Sequence, residues 1–229
     1  MRVSIMQPAY LPWAGYIQRV MRSDLHIVMD DVKIDWRSKT QFTNRNRIPT
    51  SNGPVWLTIP LLKADSDGLT INRIHINNSE RWARKHFATI TQNYSKSLFY
   101  KEHSEFFSKF YNNEYELLVD AIGMSTDYLL TAFGCTTRCV KSSQLKVEGK
   151  KDELVLNLCK EVGATSYISG PFGRDYLNLD LFEQAGIEVV FHDFFVEEYS
   201  QVQPGFTPYM SCIDMLFCLG GDKARQLLL

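Results

Sequence analysis

The opening of the chain, from Met1 to Asp31, has the pattern of a βαβ unit. Arg2 to Met6 and Leu25 to Met29 are short runs rich in apolar and β-branched residues, which is typical of buried strands. Between them, Tyr16 to Arg22 has the spacing of an amphipathic helix. A helical connection joins parallel strands, and its crossover is right-handed in nearly all folds. The pattern therefore predicts an α/β fold with a Rossmann-like, mostly parallel sheet flanked by helices.

The loop from Gln7 to Gly15 is predicted to form one wall of a ligand pocket. Pro8 and Pro12 each fix one backbone torsion, which lowers the entropy cost of holding the loop in one shape. In open parallel sheets, ligands bind beyond the carboxyl ends of the strands. We therefore expect this loop and the carboxylates that follow the second strand, Asp30 and Asp31, to face the same crevice.

From Thr137 onward the alternation of strands and helices resumes, which predicts a continuation of the same sheet in a single domain, residues 1–229. Strands are predicted at Thr137–Val140, Thr165–Ser169 and Ile187–Phe191, and helices at Lys151–Val162, Leu179–Ala185 and Met210–Leu229, the last broken at Gly220 and Gly221.

Two segments separate these halves. Roughly residues 33–77 are predicted to be a small antiparallel insertion, with a long loop or irregular hairpin over Lys33–Arg47 and strands at Val55–Pro60 and Ile71–Ile76. Roughly residues 79–133 are predicted to be helical, beginning at an Asn78–Ser79 cap and interrupted near Gly123.

The composition is that of an ordinary soluble protein, with a net charge of −1 at pH 7. This balance gives no overall bias toward nucleic acid or an anionic membrane, so any anion site must be local. No apolar run approaches the ~20 residues of a membrane-spanning helix, and the N-terminus lacks a signal-peptide pattern. The five cysteines form no CxxC pair, so we expect a reduced, cytoplasmic protein without membrane insertion.

The sharpest local signal is a basic segment, Arg37 to Arg47, which also contains Lys39 and Arg45 and is interleaved with Asn44 and Asn46. Guanidinium groups suit bidentate binding of phosphate or carboxylate, and the amides add hydrogen bonds to a sugar or a pyrophosphate. The same residues fit a solvated surface loop equally well.

Asp31 and His86 are the candidates for moving a proton. A carboxylate after a strand suits a general base, and Asp30 or Asp31 also suits Mg²⁺ on phosphate oxygens. Imidazole titrates near neutral pH and suits a proton shuttle. The competing interpretations are a turn acid bonded to nearby backbone and a histidine packed beside aromatic rings.

A second strand-to-helix turn, Ser169 to Asp175, contains Gly170, Gly173 and Arg174. Glycines let backbone N–H groups approach an anion, and a helix N-terminus favours one electrostatically. Tight turns alone also explain these glycines, because the segment matches neither GxGxxG nor a Walker A loop.

Several of these segments together resemble the WbqC-like protein family, over nearly the full chain and in the same order. The matching segments are Gln7–Tyr16, Asp30–Val32, Asn44–Asn46, Trp56–Pro60, Tyr167–Gly170, Tyr199, Gln201 and Ser211–Asp214. The first of them is the distinctive one. The resemblance implies a place among bacterial surface-polysaccharide (O-antigen) genes and transfer of glycine or another amino acid onto a sugar.

A weaker resemblance concerns the four residues from Trp13 to Tyr16. Their position after the first strand is similar to that of the H-x-G-H site of nucleotidylyltransferases and pantothenate synthetase-like ligases. Trp13 and Tyr16 stand where that site has its histidines, which stabilise phosphoryl charge. The replacement argues against adenylyl transfer and leaves binding of a nucleotide-type ligand open.

The resemblance to the WbqC-like family thus implies a transferase that moves an aminoacyl group, such as glycyl, onto a nucleotide- or lipid-linked sugar. Arg37, Arg45 and Arg174 would bind phosphate or carboxylate, and Asp31 or His86 would take a proton from the attacking amine or hydroxyl. The candidate substrate-binding residues are Gln7, Tyr10, Trp13, Gly15, Arg37, Asn44, Arg45, Asn46, Ser169, Gly170, Arg174, Tyr199, Gln201 and Asp214.

Two alternatives stay open. One is an amino-acid transferase that acts on a pyrophosphate-activated carbon, such as a hydroxymethylated base in phage-type DNA. Nucleic acid is not the favoured partner, because the basic residues are confined to one segment. The other alternative is a non-catalytic subunit that binds the ligand and presents it to a partner.

Overall fold

The computed structural model describes residues 1–34, 36, 42–62 and 68–229. Its strands are β1 (Arg2–Met6), β2 (Leu25–Val28), β3 (Arg45–Ile48), β4 (Val55–Thr58), β5 (Arg138–Lys141), β6 (Ser166–Ser169) and β7 (Glu188–Phe191). Its α-helices are α1 (Ala14–Met21), α2 (Trp82–Tyr94), α3 (Tyr100–Asn112), α4 (Leu118–Ala132), α5 (Ser142–Leu145), α6 (Asp152–Glu161), α7 (Leu179–Gln184), α8 (Cys212–Leu219) and α9 (Gly221–Leu228).

The central sheet has the strand order β5-β2-β1-β6-β7, and every pair in it is parallel. Ser4 of β1 is in register with His26 on one side and with Ile168 on the other. The chain builds outward from β1 through β2 to β5, then returns to the opposite edge of β1 as β6. The predicted Rossmann-like α/β fold is confirmed, and the direction of winding changes between β1 and β6.

Helices cover both faces of this sheet. One face places Val3 and Ile5 of β1 in a buried cluster with Val155 and Leu158 of α6 and with Phe182 of α7. These side chains are fully or almost fully buried because α6 and α7 cover this face of the sheet.

A larger buried cluster joins α1 to α4 and the C-terminal helices. It includes Ile17 and Val20 of α1, Leu129 of α4 and Leu216 of α8. The same cluster extends into the aromatic residues of α2 and α3, so the predicted helical segment packs as part of one core. In the described part of the chain, no helix combines the length and the apolar character needed to cross a membrane.

The insertion contains the antiparallel pair β3–β4, in which Arg45 lies opposite Thr58 and Ile48 opposite Val55. The prediction of a loop or irregular hairpin up to Arg47 missed the regular strand β3. The predicted strand Ile71–Ile76 is wrong, because this segment begins with a 3₁₀ turn, Ile71–Arg73, and then forms only isolated bridges. Ile71, Ile74 and Ile76 are all buried, and the three-residue step between the first two suits a 3₁₀ turn.

The helical segment is interrupted at a different place from the predicted one. The break lies between Asn112 and Leu118, whereas Gly123 lies inside α4. The predicted Asn78–Ser79 cap is also wrong, because these residues form a 3₁₀ turn and Arg81 precedes α2 in the left-handed conformation. Asn78 instead accepts a hydrogen bond from the Trp82 indole at 3.1 Å.

Candidate functional site

A cavity of about 620 Å³ opens at the carboxyl ends of β1 and β6, where the direction of winding changes. Its walls come from the loop after β1, one face of α1, the turn after β6, the segment after β7 and the insertion. Ligand pockets in proteins typically have volumes of roughly 300–1,000 Å³ and occur at this point of open α/β sheets. The cavity therefore has the size and the position of a small-molecule site.

One face of α1 borders the cavity through Gly15, Tyr16 and Arg19, which lie within about one helical turn. A Cβ atom on Gly15 would lie 2.7 Å from Cδ1 of Phe194 and 2.7 Å from Nε1 of Trp13. Any larger residue would collide with both rings, so glycine is what lets these aromatic walls pack against the start of the helix.

Arg19 is half-buried and borders the cavity. Its Nε donates to Nδ1 of His192 at 3.4 Å. Burial lowers the pKa of the Arg19 guanidinium, and the ionisable side chains that act on it are the phenols of Tyr16, Tyr167 and Tyr176. Among the described residues, no carboxylate forms a salt bridge with Arg19.

Arg47 of β3 borders the same cavity from the insertion. Its guanidinium lies 5.8 Å from the centre of the Trp56 ring, and its buried Nε has no hydrogen-bond partner among the described atoms. Arg47 is half-buried, and this N–H is enclosed by protein atoms rather than open to the cavity. Because the residue itself borders the cavity, Arg47 brings a second guanidinium to the cavity wall.

The cavity is electropositive in the described part of the chain, because the residues that line it include two arginines and no aspartate or glutamate. Its aromatic lining consists of Trp13, Tyr16, Phe42, Tyr167, Phe172, Tyr176, Phe194 and Tyr209. Guanidinium groups bind phosphate and carboxylate, while aromatic faces pack against sugar rings and bases. The arrangement suits a ligand with an anionic part and a flat or ring-shaped part.

Four of the predicted substrate-binding residues, Gln7, Trp13, Gly15 and Gly170, border the cavity. Gln7 also accepts a hydrogen bond from Thr43, at 3.5 Å between Oε1 and Oγ1. The loop from Gln7 to Gly15, here called the opening loop, and the segment that ends in Arg47 thus face one shared cavity.

The other candidates of the basic segment have different surroundings. The Arg45 guanidinium lies 4.8 Å from the centre of the Trp56 ring, outside the cavity lining. The amides of Asn44 and Asn46 are buried and donate to the carbonyl oxygens of Ile59 at 2.8 Å and Leu11 at 2.7 Å. Both amides therefore hold the insertion in place, while Arg37 and Lys39 lie outside the described residues.

Tyr10 and His86 meet in the helical core rather than at the cavity. The Tyr10 hydroxyl lies 3.0 Å from Nδ1 of His86 and 2.6 Å from the hydroxyl of Tyr111. Burial lowers the pKa of His86 to about 4, so this imidazole is neutral at pH 7. The structure does not bring His86 to the cavity, and its contacts join the opening loop to α2 and α3.

Asp30 and Asp31 lie at the carboxyl end of β2 and bind the start of α5. Asp30 accepts hydrogen bonds from the backbone N–H of Ser143 at 3.0 Å and from its hydroxyl at 2.8 Å, and Asp31 accepts one from the Ser142 hydroxyl. Neither carboxylate is part of the cavity lining. No group of three or more His, Cys, Asp or Glu residues is arranged to hold a metal within the described residues.

Asp214 is fully buried and accepts hydrogen bonds from two other candidates, Tyr199 at 2.6 Å and Gln201 at 2.8 Å. Tyr94 of α2 donates to its other oxygen at 2.7 Å. Burial raises the pKa of Asp214, and the three donors oppose this shift. These side chains fix α8 to α2 and to the segment before α8, and none of them borders the cavity.

Three substrate-binding candidates lie at the end of β6 and in the turn after it, Ser169, Gly170 and Arg174. Only Gly170 borders the cavity. Arg174 forms a bidentate pair with Asp193, with distances of 2.9 and 2.7 Å, so its guanidinium is already occupied. Ser169 is buried and donates to the carbonyl oxygen of Gly170 at 3.2 Å. A Cβ atom on Gly173 would lie only 2.0 Å from the Ser169 hydroxyl, which explains the glycine.

Sequence reasoning missed Arg19 and His192 and did not select Arg47 among the arginines of its segment. Arg19 follows Gly15 by four residues, so helical spacing alone places the two on one face. His192 directly follows β7, the kind of position that the rule for parallel sheets selects. Selecting Arg47 among the arginines required knowing where β3 lies in the fold. The polar sequence of β3 did not predict a strand there.

One comparison with known proteins identifies a family, and a second finds a relative over nearly the full chain. The model of the WbqC-like protein family matches residues 7–226. An uncharacterized Mycobacterium tuberculosis (strain ATCC 25618 / H37Rv) protein, Rv1507c, is 30% identical over 231 residues, which cover 99% of this chain and 97% of the relative. No solved structure gives a significant match. The chain belongs to the WbqC-like protein family.

Proposed function

We propose that this protein is a transferase that moves an aminoacyl group, such as glycyl, onto a nucleotide-linked sugar for bacterial surface-polysaccharide synthesis. The observation that carries the proposal is the cavity at the β1–β6 boundary, which has two guanidinium groups and no carboxylate among its described lining residues. The aminoacyl part of the proposal follows from the family resemblance rather than from the cavity.

The charge of the cavity supports a diphosphate as the anionic part of the substrate. Arg19 and Arg47 together supply two positive charges, and the diphosphate diester of a sugar nucleotide carries two negative charges. Because Arg47 borders the cavity, its guanidinium can donate a charge-assisted hydrogen bond to an oxygen of the ligand. The aromatic walls would then contact the base or the sugar.

In the proposed reaction, an amine or hydroxyl of the sugar attacks the carbonyl carbon of an activated aminoacyl donor. The new C–N or C–O bond forms as the donor's leaving group departs with its bonding electrons, and the proton of the attacking atom ends on that leaving group, as in the thiol released from a thioester. The cavity would act by holding the reacting groups in position, an effect worth several orders of magnitude in rate. Neither Asp31 nor His86 borders the cavity, so proton transfer is assigned to neither.

Ligand-induced thermal shifts test the binding step. UDP-glucose, GDP-mannose and dTDP-glucose are compared with glucose and uridine, which lack the diphosphate. A ligand at 100 times its Kd stabilises a folded protein by about 2.7 kcal/mol, which corresponds to a shift of roughly 5–10 °C for a chain of this size. At least one sugar nucleotide should produce such a shift, and glucose and uridine should not.

Two arginines on the same strand provide a matched pair of variants. Both Arg45 and Arg47 contact Trp56, but only Arg47 borders the cavity. We expect Arg47→Gln to weaken binding of the responding sugar nucleotide by about tenfold or more, because a charge-assisted hydrogen bond is lost. Arg45→Gln should change the affinity much less. Equal losses in the two variants would contradict the assignment of Arg47.

Mass spectrometry then tests the transfer itself. The protein is incubated with the responding sugar nucleotide and an activated glycyl thioester, and the product should be the sugar nucleotide with one added glycyl group. Binding without any such product would favour the subunit that only presents its ligand. Tight binding of duplex DNA with a steep salt dependence would favour the DNA-directed alternative.

A further inference from the structure

Arg19 belongs to a hydrogen-bonded group of three side chains that connects α1 to the end of β7. His192 lies between Gln18 and Arg19, and both Gln18 and His192 are buried. Arg19 donates its Nε–H to Nδ1 of the imidazole, so Nδ1 is the unprotonated nitrogen. The other nitrogen, Nε2, therefore carries the hydrogen and donates it to Oε1 of Gln18.

This arrangement requires a neutral imidazole. Burial and the nearby guanidiniums of Arg19 and Arg22 lower the pKa of His192 to about 4. Gln18 fixes the tautomer through its carbonyl oxygen, just as a second hydrogen bond orients the ring of a metal-bound histidine. The Nε end of the Arg19 guanidinium is thus anchored, while its two terminal nitrogens form no hydrogen bond with the residues that the structure describes.

The terminal nitrogens of Arg19 lie close to the backbone of Gly170. A Cβ atom at this position would be 2.9 Å from Nη2 and 3.0 Å from Nη1 of Arg19. The φ of Gly170 is −72°, a value open to any residue, so backbone conformation does not require the glycine. Its absence of a side chain instead makes room for the guanidinium at the end of β6, beside the cavity.

We propose that Arg19 is one of the two phosphate-binding groups of the cavity, that the Gln18–His192 pair positions its guanidinium, and that Gly170 provides the space for that guanidinium. The proposal deepens the proposed function and rests on it only in treating the cavity as a ligand site. The ligand class is a diphosphate or a similar phosphate anion, because the guanidinium fork matches adjacent phosphate oxygens and the phenols around it carry no charge at neutral pH.

Inorganic pyrophosphate is the probe, and its affinity is measured by calorimetric titration of the full chain at pH 7.5. Gly170→Ala is the main variant, because it retains the charge of Arg19 and only displaces the flexible end of its side chain. We expect binding about tenfold weaker, with little change in the melting temperature of the free protein. The matched control is Gly123→Ala, since a Cβ atom there has no neighbour within 4 Å.

Arg19→Gln decides the question if Gly170→Ala does not fold. It should abolish the same binding, whereas Arg84→Gln, which makes the same charge change at an exposed position of α2, should leave it intact. His192→Leu should weaken binding, and His192→Asn should restore most of it, because the asparagine oxygen can replace Nδ1 as the acceptor for Arg19. A role for His192 in packing alone would not be rescued in this way.

Unchanged pyrophosphate affinity in Arg19→Gln, or in a folded Gly170→Ala, would overturn the proposal. The proposed function would survive that result if the wild-type protein still bound and modified a sugar nucleotide. Conversely, pyrophosphate binding that depends on Arg19, without any binding or modification of sugar nucleotides, would reject the proposed function and leave the role of Arg19 intact.

Discussion

At the scale of single residues, the shape of the cavity depends on two glycines as much as on the side chains that line it. Gly15 and Gly170 both lack a Cβ that would collide, in the first case with aromatic rings and in the second with a guanidinium. The sequence identified both glycines as candidates through the loops that contain them. It did not show what occupies the space, because Phe194 and Arg19 come from other parts of the chain.

Gly15→Ala should destabilise the protein and distort the cavity. The added methyl group would lie 2.7 Å from both Phe194 and Trp13, and overpacking of this kind typically costs about 1–3 kcal/mol. Urea denaturation measures the loss in free energy of unfolding. Gly123→Ala is again the comparison, and it should be neutral or stabilising by about 0.5–1 kcal/mol because Gly123 lies inside α4. Equal stabilities of the two variants would contradict the close packing at Gly15.

At the scale of elements, the parallel strands and most helices followed from sequence patterns, whereas the insertion did not. The predicted ends of the strands of the sheet differ from the observed ones by only a residue or so. In contrast, β3 is Arg-Asn-Arg-Ile, whose two arginines and asparagine resemble a polar loop. Asn46 is buried there because Leu11 supplies a backbone acceptor, a contact between distant parts of the chain.

The contribution of His86 to the free energy of unfolding should decrease as the pH falls. This side chain contacts residues of the opening loop and of α3 from its place on α2. His86 has an ordinary pKa of 6.5 when unfolded and about 4 when folded, so the stability it contributes is present above pH 6.5 and is lost toward pH 4. His86→Gln should be less stable than the wild-type protein at pH 7.5. Its deficit should shrink by up to about 1.4 kcal/mol per pH unit below pH 6.5, because only the wild-type protein loses this contribution.

Urea denaturation of both proteins between pH 7.5 and 5 measures that deficit. Tyr111→Phe provides the control, because it removes a hydroxyl that contacts Tyr10 without removing a histidine. Its deficit should stay constant over the same range. A constant deficit for His86→Gln would show that His86 does not stay neutral in the folded protein.

At the scale of the whole molecule, the strand order decides where the site can be. The winding of the sheet reverses between β1 and β6, and the ends of these strands, the face of α1 and the insertion converge there on one cavity. The sequence predicted the fold class and this edge of the sheet. It could not predict that polar candidates such as Asp31, Tyr199 and Asp214 bind other side chains of the protein, because those pairings depend on tertiary contacts.

Whether the cavity binds a diphosphate can be seen in a crystal structure of the protein with UDP-glucose, or with another sugar nucleotide that binds more tightly. We expect the diphosphate in the cavity between β1 and β6, with oxygens about 2.7–3.2 Å from guanidinium nitrogens of Arg19 and Arg47. A ligand bound elsewhere, or a diphosphate that contacts neither arginine, would contradict this expectation.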